Sequence, residues 1–263
     1  MKDIALAIND ATIGYRNGKS VIPVVTAINA TLYASEIVAL IGMNGAGKST
    51  LLRTMSAFMS PLSGKVKFAK GDVEHLSSRE MSQSVSLVLT DNDFASLTAM
   101  ELVSLGRTPY TGFLGRLSAD DKSVVVSAME RMGVAHLAGR EIASLSDGER
   151  QKCMIAKAIA QQTPLMLLDE PTAFLDFRSK VQLFRTLRGL ATEDAKSVVV
   201  STHDIEMALR FVDKLWLICD GCLYEGTARE LADNGLLQRF IDGDGIVYDK
   251  ENNRIEITQE RAH

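Results

Sequence analysis

Short runs of β-branched and aliphatic residues alternate with helical stretches along most of the chain, which predicts a parallel sheet joined by crossover helices. The first such run covers residues 37–41, and 85–89, 165–168 and 198–201 repeat it. Runs that are apolar at every position belong to strands covered on both faces. Ahead of them, 4–15 and 21–33 alternate with a period of two, as at Ile28, Ala30 and Leu32. They read as antiparallel strands, with 65–70 as a third member. Helices are predicted over 50–58 and 150–162.

A different texture begins near residue 91. Thr98-x-x-Glu101 and Ser118-x-x-Asp121 are helix-start patterns that open 99–105 and 119–132. Between them, 106–115 is rich in Gly, Thr, Pro and aromatics and reads as a loop. The expectation is a helical insertion over about 91–162 inside one domain spanning 1–263. Beyond Asp213, 215–218 and 223–225 form a hairpin about Asp220-Gly221, and Thr227-x-x-Glu230 caps a further helix. The polar stretch 243–263 suggests a terminal strand or hairpin and carries no functional assignment.

Composition narrows the classes. With 263 residues, 46% hydrophobic and 24% charged, the chain is an ordinary globular protein with a sizeable core. A net charge of −4 gives no reason to expect nucleic acid as a partner. No apolar run approaches the length of a membrane span, and the N-terminus lacks a signal-peptide core. The chain is therefore expected in the cytoplasm, reaching a membrane only through a partner. Its three cysteines fit a reducing compartment. Cys219 and Cys222 flank the hairpin turn with no further ligands in the sequence nearby, so redox or metal chemistry there is disfavoured.

The chemistry lies at strand ends. Gly42-Met43-Asn44-Gly45-Ala46-Gly47-Lys48-Ser49 follows the strand 37–41 and opens a helix with Thr50, the full context of a phosphate-binding loop. Its glycines let successive backbone N–H groups converge on phosphate, and the helix adds its positive end. Lys48 would reach the β- and γ-phosphates of ATP, and the Ser49 hydroxyl would ligate Mg²⁺. The apolar strand 165–168 ends in Asp169-Glu170. Asp169 is a metal ligand by this pattern, and Glu170 is placed to activate the attacking water. His203 ends another strand on the same edge, within reach of the γ-phosphate or of that water.

Leu145-Ser146-Asp147-Gly148-Glu149-Arg150-Gln151 resembles the signature of ABC cassettes, usually LSGGQ. With the phosphate loop, the Asp-Glu strand end and His203 in the family's order, the resemblance covers nearly the whole chain. It implies an α/β P-loop NTPase cassette with a mostly parallel core sheet, an antiparallel β-subdomain and a helical insertion. It also implies a head-to-tail dimer in which Ser146 and Gly148 face the ATP bound by a second copy. Tyr15 resembles the aromatic that stacks on adenine, and Asp176 in Ala173-Phe174-Leu175-Asp176 the residue that communicates across the dimer.

Two departures stand out. The family normally has Gln where this chain has Thr90-Asp91, and there Thr90 could supply a hydroxyl to Mg²⁺, or Asp91 a carboxylate. The signature has Asp147 for Gly and Glu149 for Gln, adding negative charge near a phosphate.

Residues 105–118, beginning Leu105-Gly106-Arg107-Thr108-Pro109-Tyr110, resemble a loop in cassettes of ferric-siderophore, haem and cobalamin importers, near the groove that receives the permease. That implies permease subunits, a separate extracytoplasmic substrate-binding protein, and a place on the cytoplasmic face of the membrane. An exporter would use the same motor. A nucleotide switch with little turnover is the non-enzyme alternative, against which Glu170 and His203 argue. A chromosome or DNA-repair ATPase needs a coiled coil that the span 49–145 lacks, and a ribosome-acting factor normally carries two cassettes.

Overall fold

The computed structural model describes residues 2–18, 20–89, 96–112, 115–241, 246–252 and 254–257. Along the chain, β1 (Ile4–Asn17) and β2 (Ser20–Tyr33) pair antiparallel before β3 (Ile37–Gly42) and α1 (Lys48–Met55). Next come β4 (Ser63–Phe68), β5 (Gly71–Asp72), α2 (Ser78–Ser84) and β6 (Val85–Val88). Helices α3 (Ala99–Ser104), α4 (Ala119–Arg131) and α5 (Asp147–Ala160) precede β7 (Leu165–Leu168). The chain continues through α6 (Phe177–Thr192), β8 (Ser197–Ser201) and α7 (Ile205–Phe211) to the hairpin of β9 (Lys214–Cys219) and β10 (Cys222–Gly226). It closes with α8 (Ala228–Asp233), α9 (Leu236–Ile241) and a second hairpin, β11 (Ile246–Asp249) with β12 (Arg254–Ile257).

The central sheet has the order β10-β9-β3-β8-β7-β6, parallel throughout except for β10. A second, antiparallel sheet has the order β2-β1-β4-β5. The continuous apolar runs have a direct physical reason. Ile37, Ala39 and Ile41 pack with the core that includes α3, α4 and α5, whereas Val38 and Leu40 pack with the core shared with the antiparallel sheet. Val198 and Val200 against Val199, and Met166 and Leu168 against Leu165 and Leu167, divide in the same way. A pleated strand sends successive side chains to opposite faces, so a strand covered twice must be apolar throughout.

Three expectations shift in detail. Helix α1 begins at Lys48, directly after the left-handed Gly47 (φ 108°), and it ends at Met55 rather than near 58 because Ala57 turns left-handed (φ 59°). Helix α5 begins at Asp147, with Ser146 as its N-cap, three residues before the predicted start. Part of the predicted loop 106–115 is a 3₁₀ helix, Leu105–Tyr110. Its Arg107 is buried, donating to Asp121 Oδ1 (2.8 Å), Ala160 O (2.8 Å) and Gln162 Oε1 (2.9 Å) while lying 4.2 Å from the Tyr110 ring. The hairpin turn at Asp220 and Gly221 has positive φ at both positions, as a two-residue hairpin requires.

Candidate functional site

Strands β3, β7 and β8 end on the same edge of the sheet, and the phosphate-loop lysine, the Asp-Glu pair and the histidine meet there. Residues 43–47 connect β3 to α1, and the loop leaves no room at Gly47. A Cβ there would come within 2.8 Å of Val24 Cγ1, in a left-handed backbone that side chains rarely adopt. Lys48, the first residue of α1, is buried. Its ammonium donates to Gly42 O (2.9 Å) and Met43 O (3.2 Å) and lies 3.7 Å from Glu170 Oε1. Burial lowers its pKa, opposed by the Glu170 and Asp169 carboxylates. Asn44 and Gly45 are exposed, while Ala46 and Ser49 are half-buried.

Strand β7 delivers Asp169 to a buried position. Ser201, at the end of β8, donates its hydroxyl to Asp169 Oδ1 (2.7 Å) and accepts from the backbone N–H of Glu170 (2.8 Å). Glu170 has a left-handed backbone, φ 46°, a conformation that costs a non-glycine residue about 1–3 kcal/mol and persists only where the surroundings impose it. The Ser201 bond is one such restraint. The result turns the Glu170 carboxylate towards His203, whose Nε2 lies 2.6 Å from Oε1. That contact assigns the Nε2 proton to the carboxylate, so the neighbouring Lys48 ammonium at 3.3 Å is an electrostatic neighbour rather than a donor to that nitrogen. Asp204 caps α7 and accepts from Lys180 of α6 (3.0 Å), which ties the His203 segment to the next helix.

Tyr15, near the end of β1, is about half-exposed, and its hydroxyl bonds Thr50 Oγ1 at 3.0 Å, which places the side chain beside the start of α1. Ser146 and Gly148 lie at the start of α5, outside this cluster, and Asp176 caps α6 by accepting from the Ser179 N–H (2.7 Å). Thr90 and Asp91 lie outside the described residues. Cys219 and Cys222 are cross-strand partners with free thiols, and among the described residues no cluster of three or more metal-ligating side chains occurs. Sequence reasoning missed Ser201 and Lys180 as site residues. Their side chains matter only through contacts made by neighbouring strands and helices, for which a single sequence holds no spacing signal.

A groove of about 790 Å³ lies between α1, α2 and β6, lined by Phe58, Met59, Met81, Leu87 and Gln161 among others, and Phe58 is 73% exposed. Among the described residues, no helix is long and apolar enough to cross a membrane.

Residues 25–173 match the ABC transporter family. The chain belongs to the ABC transporter family. It is 35% identical over 253 residues, 95% of this chain and 93% of the relative, to the iron(3+)-hydroxamate import ATP-binding protein of Bacillus subtilis. It is 39% identical over 202 residues to the cobalamin import ATP-binding protein of Halobacterium salinarum, covering 76% of this chain but half the length of that protein. A dimeric ABC ATP-binding cassette solved in a post-hydrolysis state with ADP and Pi superposes with a TM-score of 0.76 at 28% identity, over 84% of this chain and 98% of that one. Membership makes the chain a nucleotide-binding, ATP-hydrolysing subunit.

Proposed function

We propose that the chain powers an ABC importer for an iron complex such as a ferric siderophore, for haem or for cobalamin, working as a single cassette over residues 1–263. The observation that carries the motor assignment is the meeting of Lys48, Asp169, Glu170 and His203 at one sheet edge. The cargo class rests on the iron-hydroxamate and cobalamin relatives together with the loop 105–118.

In this reading ATP lays its phosphates along Gly42, Asn44, Gly45, Ala46, Gly47, Ser49 and Thr50, with adenine on Tyr15. Lys48 exchanges the carbonyls of Gly42 and Met43 for β- and γ-phosphate oxygens. Glu170 spends its acceptor on His203 until a γ-phosphate offers the imidazole N–H another partner. The freed carboxylate then takes a proton from water as the water oxygen attacks phosphorus in line, and the bond to ADP breaks. The donor set fits Mg²⁺: Ser49 brings a hydroxyl, and Asp169 engages Oδ1 with Ser201, leaving Oδ2 for a hard cation. Held there by Ser49 and Asp169, Mg²⁺ would supply positive charge against the phosphates. Thr90 remains a proposed further ligand, tested by Thr90→Ala and Asp91→Ala.

Ser146 and Gly148 complete the site of a second copy. The groove beside Phe58 and Gln161 seats the permease subunits, whose substrate comes from a binding protein outside. The chain itself sits at the cytoplasmic face of the membrane.

Steady-state hydrolysis with Mg²⁺ tests the motor. Glu170→Gln is expected to lower turnover by about 10²–10⁴-fold, the range of a lost general base, while ATP-dependent dimers accumulate. Wild-type turnover in that variant would remove Glu170 from the role.

A further inference from the structure

We propose that Glu149 governs ATP-dependent closure of two cassettes by holding the one hydroxyl proton of Ser146 that the γ-phosphate of the opposite cassette needs. The inference rests on the proposed head-to-tail sandwich and adds to it a residue that opposes closure.

Ser146 and Glu149 form a reciprocal cap at the start of α5. The Ser146 hydroxyl donates to Glu149 Oε2 at 2.8 Å and the Ser146 backbone N–H donates to the same oxygen at 2.9 Å. The Glu149 N–H returns a bond to Ser146 Oγ at 3.3 Å. A serine hydroxyl has one proton, and an ionised carboxylate is acceptor-only, so the direction of that proton is fixed. Bonds from Ser146 hold the Glu149 carboxyl below the usual carboxylate range, with Arg140 and His136 adding to the effect, and it stays ionised. A phosphate oxygen is also an acceptor and also anionic. The two therefore compete for one proton and repel each other at the same place.

The neighbouring groups leave Glu149 as the competitor. Asp147 turns to Arg150 (3.6 Å) with its side chain largely in solvent, away from the hydroxyl. Position 148 has room only for a glycine, since a Cβ there would come within 3.0 Å of Phe174 O. Closure that hands the hydroxyl proton to phosphate moves the Glu149 side chain off it. The same reciprocal cap occurs at Ser77, Thr98, Ser118 and Thr227, where no phosphate is expected, so it is a local default of this sequence. At α5 alone it falls on a proposed phosphate ligand. A glutamine at 149 would keep the cap through its amide oxygen, carry no charge and present a donor, leaving the serine proton free for phosphate.

The test measures the dimer dissociation constant by analytical ultracentrifugation with saturating Mg-ATP, in a Glu170→Gln background that blocks turnover. Glu149→Gln is expected to tighten the dimer about tenfold, the equivalent of one recovered hydrogen bond, and Glu149→Ala to move it in the same direction. With Glu170 restored, the KM for ATP falls more than kcat changes. A merely structural role for Glu149 predicts a neutral or weaker Glu149→Gln dimer. Ser146→Ala separates the two levels. If it abolishes closure while Glu149→Gln and Glu149→Ala leave it unchanged or weaker, the inference is overturned and the sandwich stands. If Ser146→Ala dimerises like its parent, the sandwich reading at Ser146 fails and the inference fails with it.

Discussion

At the scale of single residues, the site is a set of groups that satisfy one another until substrate arrives. Lys48 is held by two loop carbonyls, Glu170 by His203, and Asp169 by Ser201. The contacts of Lys48 and Glu170 occupy atoms that ATP hydrolysis would use and that phosphate can replace, whereas the Ser201 bond holds Asp169 Oδ1 and leaves Oδ2 open. Ser201 is the least obvious member because it touches no reacting atom. It fixes the carboxylate of Asp169 and the strained backbone of Glu170 together, so it is a positioning residue. Ser201→Ala is expected to lower kcat about tenfold with a smaller change in the KM for ATP, and Ser201→Thr to restore part of it. Steady-state kinetics on the three proteins would decide. At Tyr15 the ring and the hydroxyl separate cleanly. Tyr15→Ala should raise the KM for ATP several-fold by removing a stacking face, whereas Tyr15→Phe should lose only the bond to Thr50.

At the scale of elements, Arg107 changes what the loop 105–118 means. The resemblance picked this stretch out as a mark of one transporter subgroup. Its physical work is to join the 3₁₀ turn to α4, through Asp121, and to the end of α5, through Ala160 and Gln162. Arg107→Met leaves Asp121 without its cation and is expected to lower Tm by roughly 5–10 °C. The pH dependence has a definite sign. Bonds from the Ser118 side chain and Arg107, chiefly, hold the Asp121 carboxyl at about 2, against an ordinary 3.8. As pH falls, the unfolded chain takes up that proton first. The contribution is full above about pH 4 and is lost as pH falls towards 2. Urea midpoints at pH 5, 3.5 and 2.5 should therefore show wild type losing its advantage over Asp121→Asn across that window.

At the scale of the whole molecule, two cores on opposite faces of one sheet hold the strand ends in register, and ligand binding should act on the fold as a unit. ATP that binds only the folded chain adds about 2.7 kcal/mol at a hundred times its Kd, a Tm rise of roughly 5–10 °C for a chain of this size. A thermal melt with Mg-ATP should show this rise in wild type and little of it in Lys48→Ala. The groove beside α2 belongs to this scale too, because residues between 54 and 87 line it together with Gln161, which lies far along the chain just past α5. Phe58 is the large exposed apolar side chain on its rim, and Phe58→Asp is expected to reduce co-purification with the permease.

The sequence by itself determined the motor. A phosphate loop needs its glycines, lysine and serine in one contiguous stretch, and a strand that ends in Asp-Glu declares its burial through Leu165, Met166, Leu167 and Leu168. Local geometry makes those features, so local spacing reveals them, and the strands followed because a doubly covered strand must be apolar at every position. The tertiary structure decided what depends on neighbours that are distant in sequence. Ser201 reaches Asp169 across two paired strands, and Lys180 meets Asp204 between two helices. Glu149 is the intermediate case. Its extra charge beside the signature serine was visible in the sequence, but only the folded chain started α5 at Asp147 and brought the carboxylate onto the serine hydroxyl. A motif states which atoms are available, and packing decides which of them are already engaged.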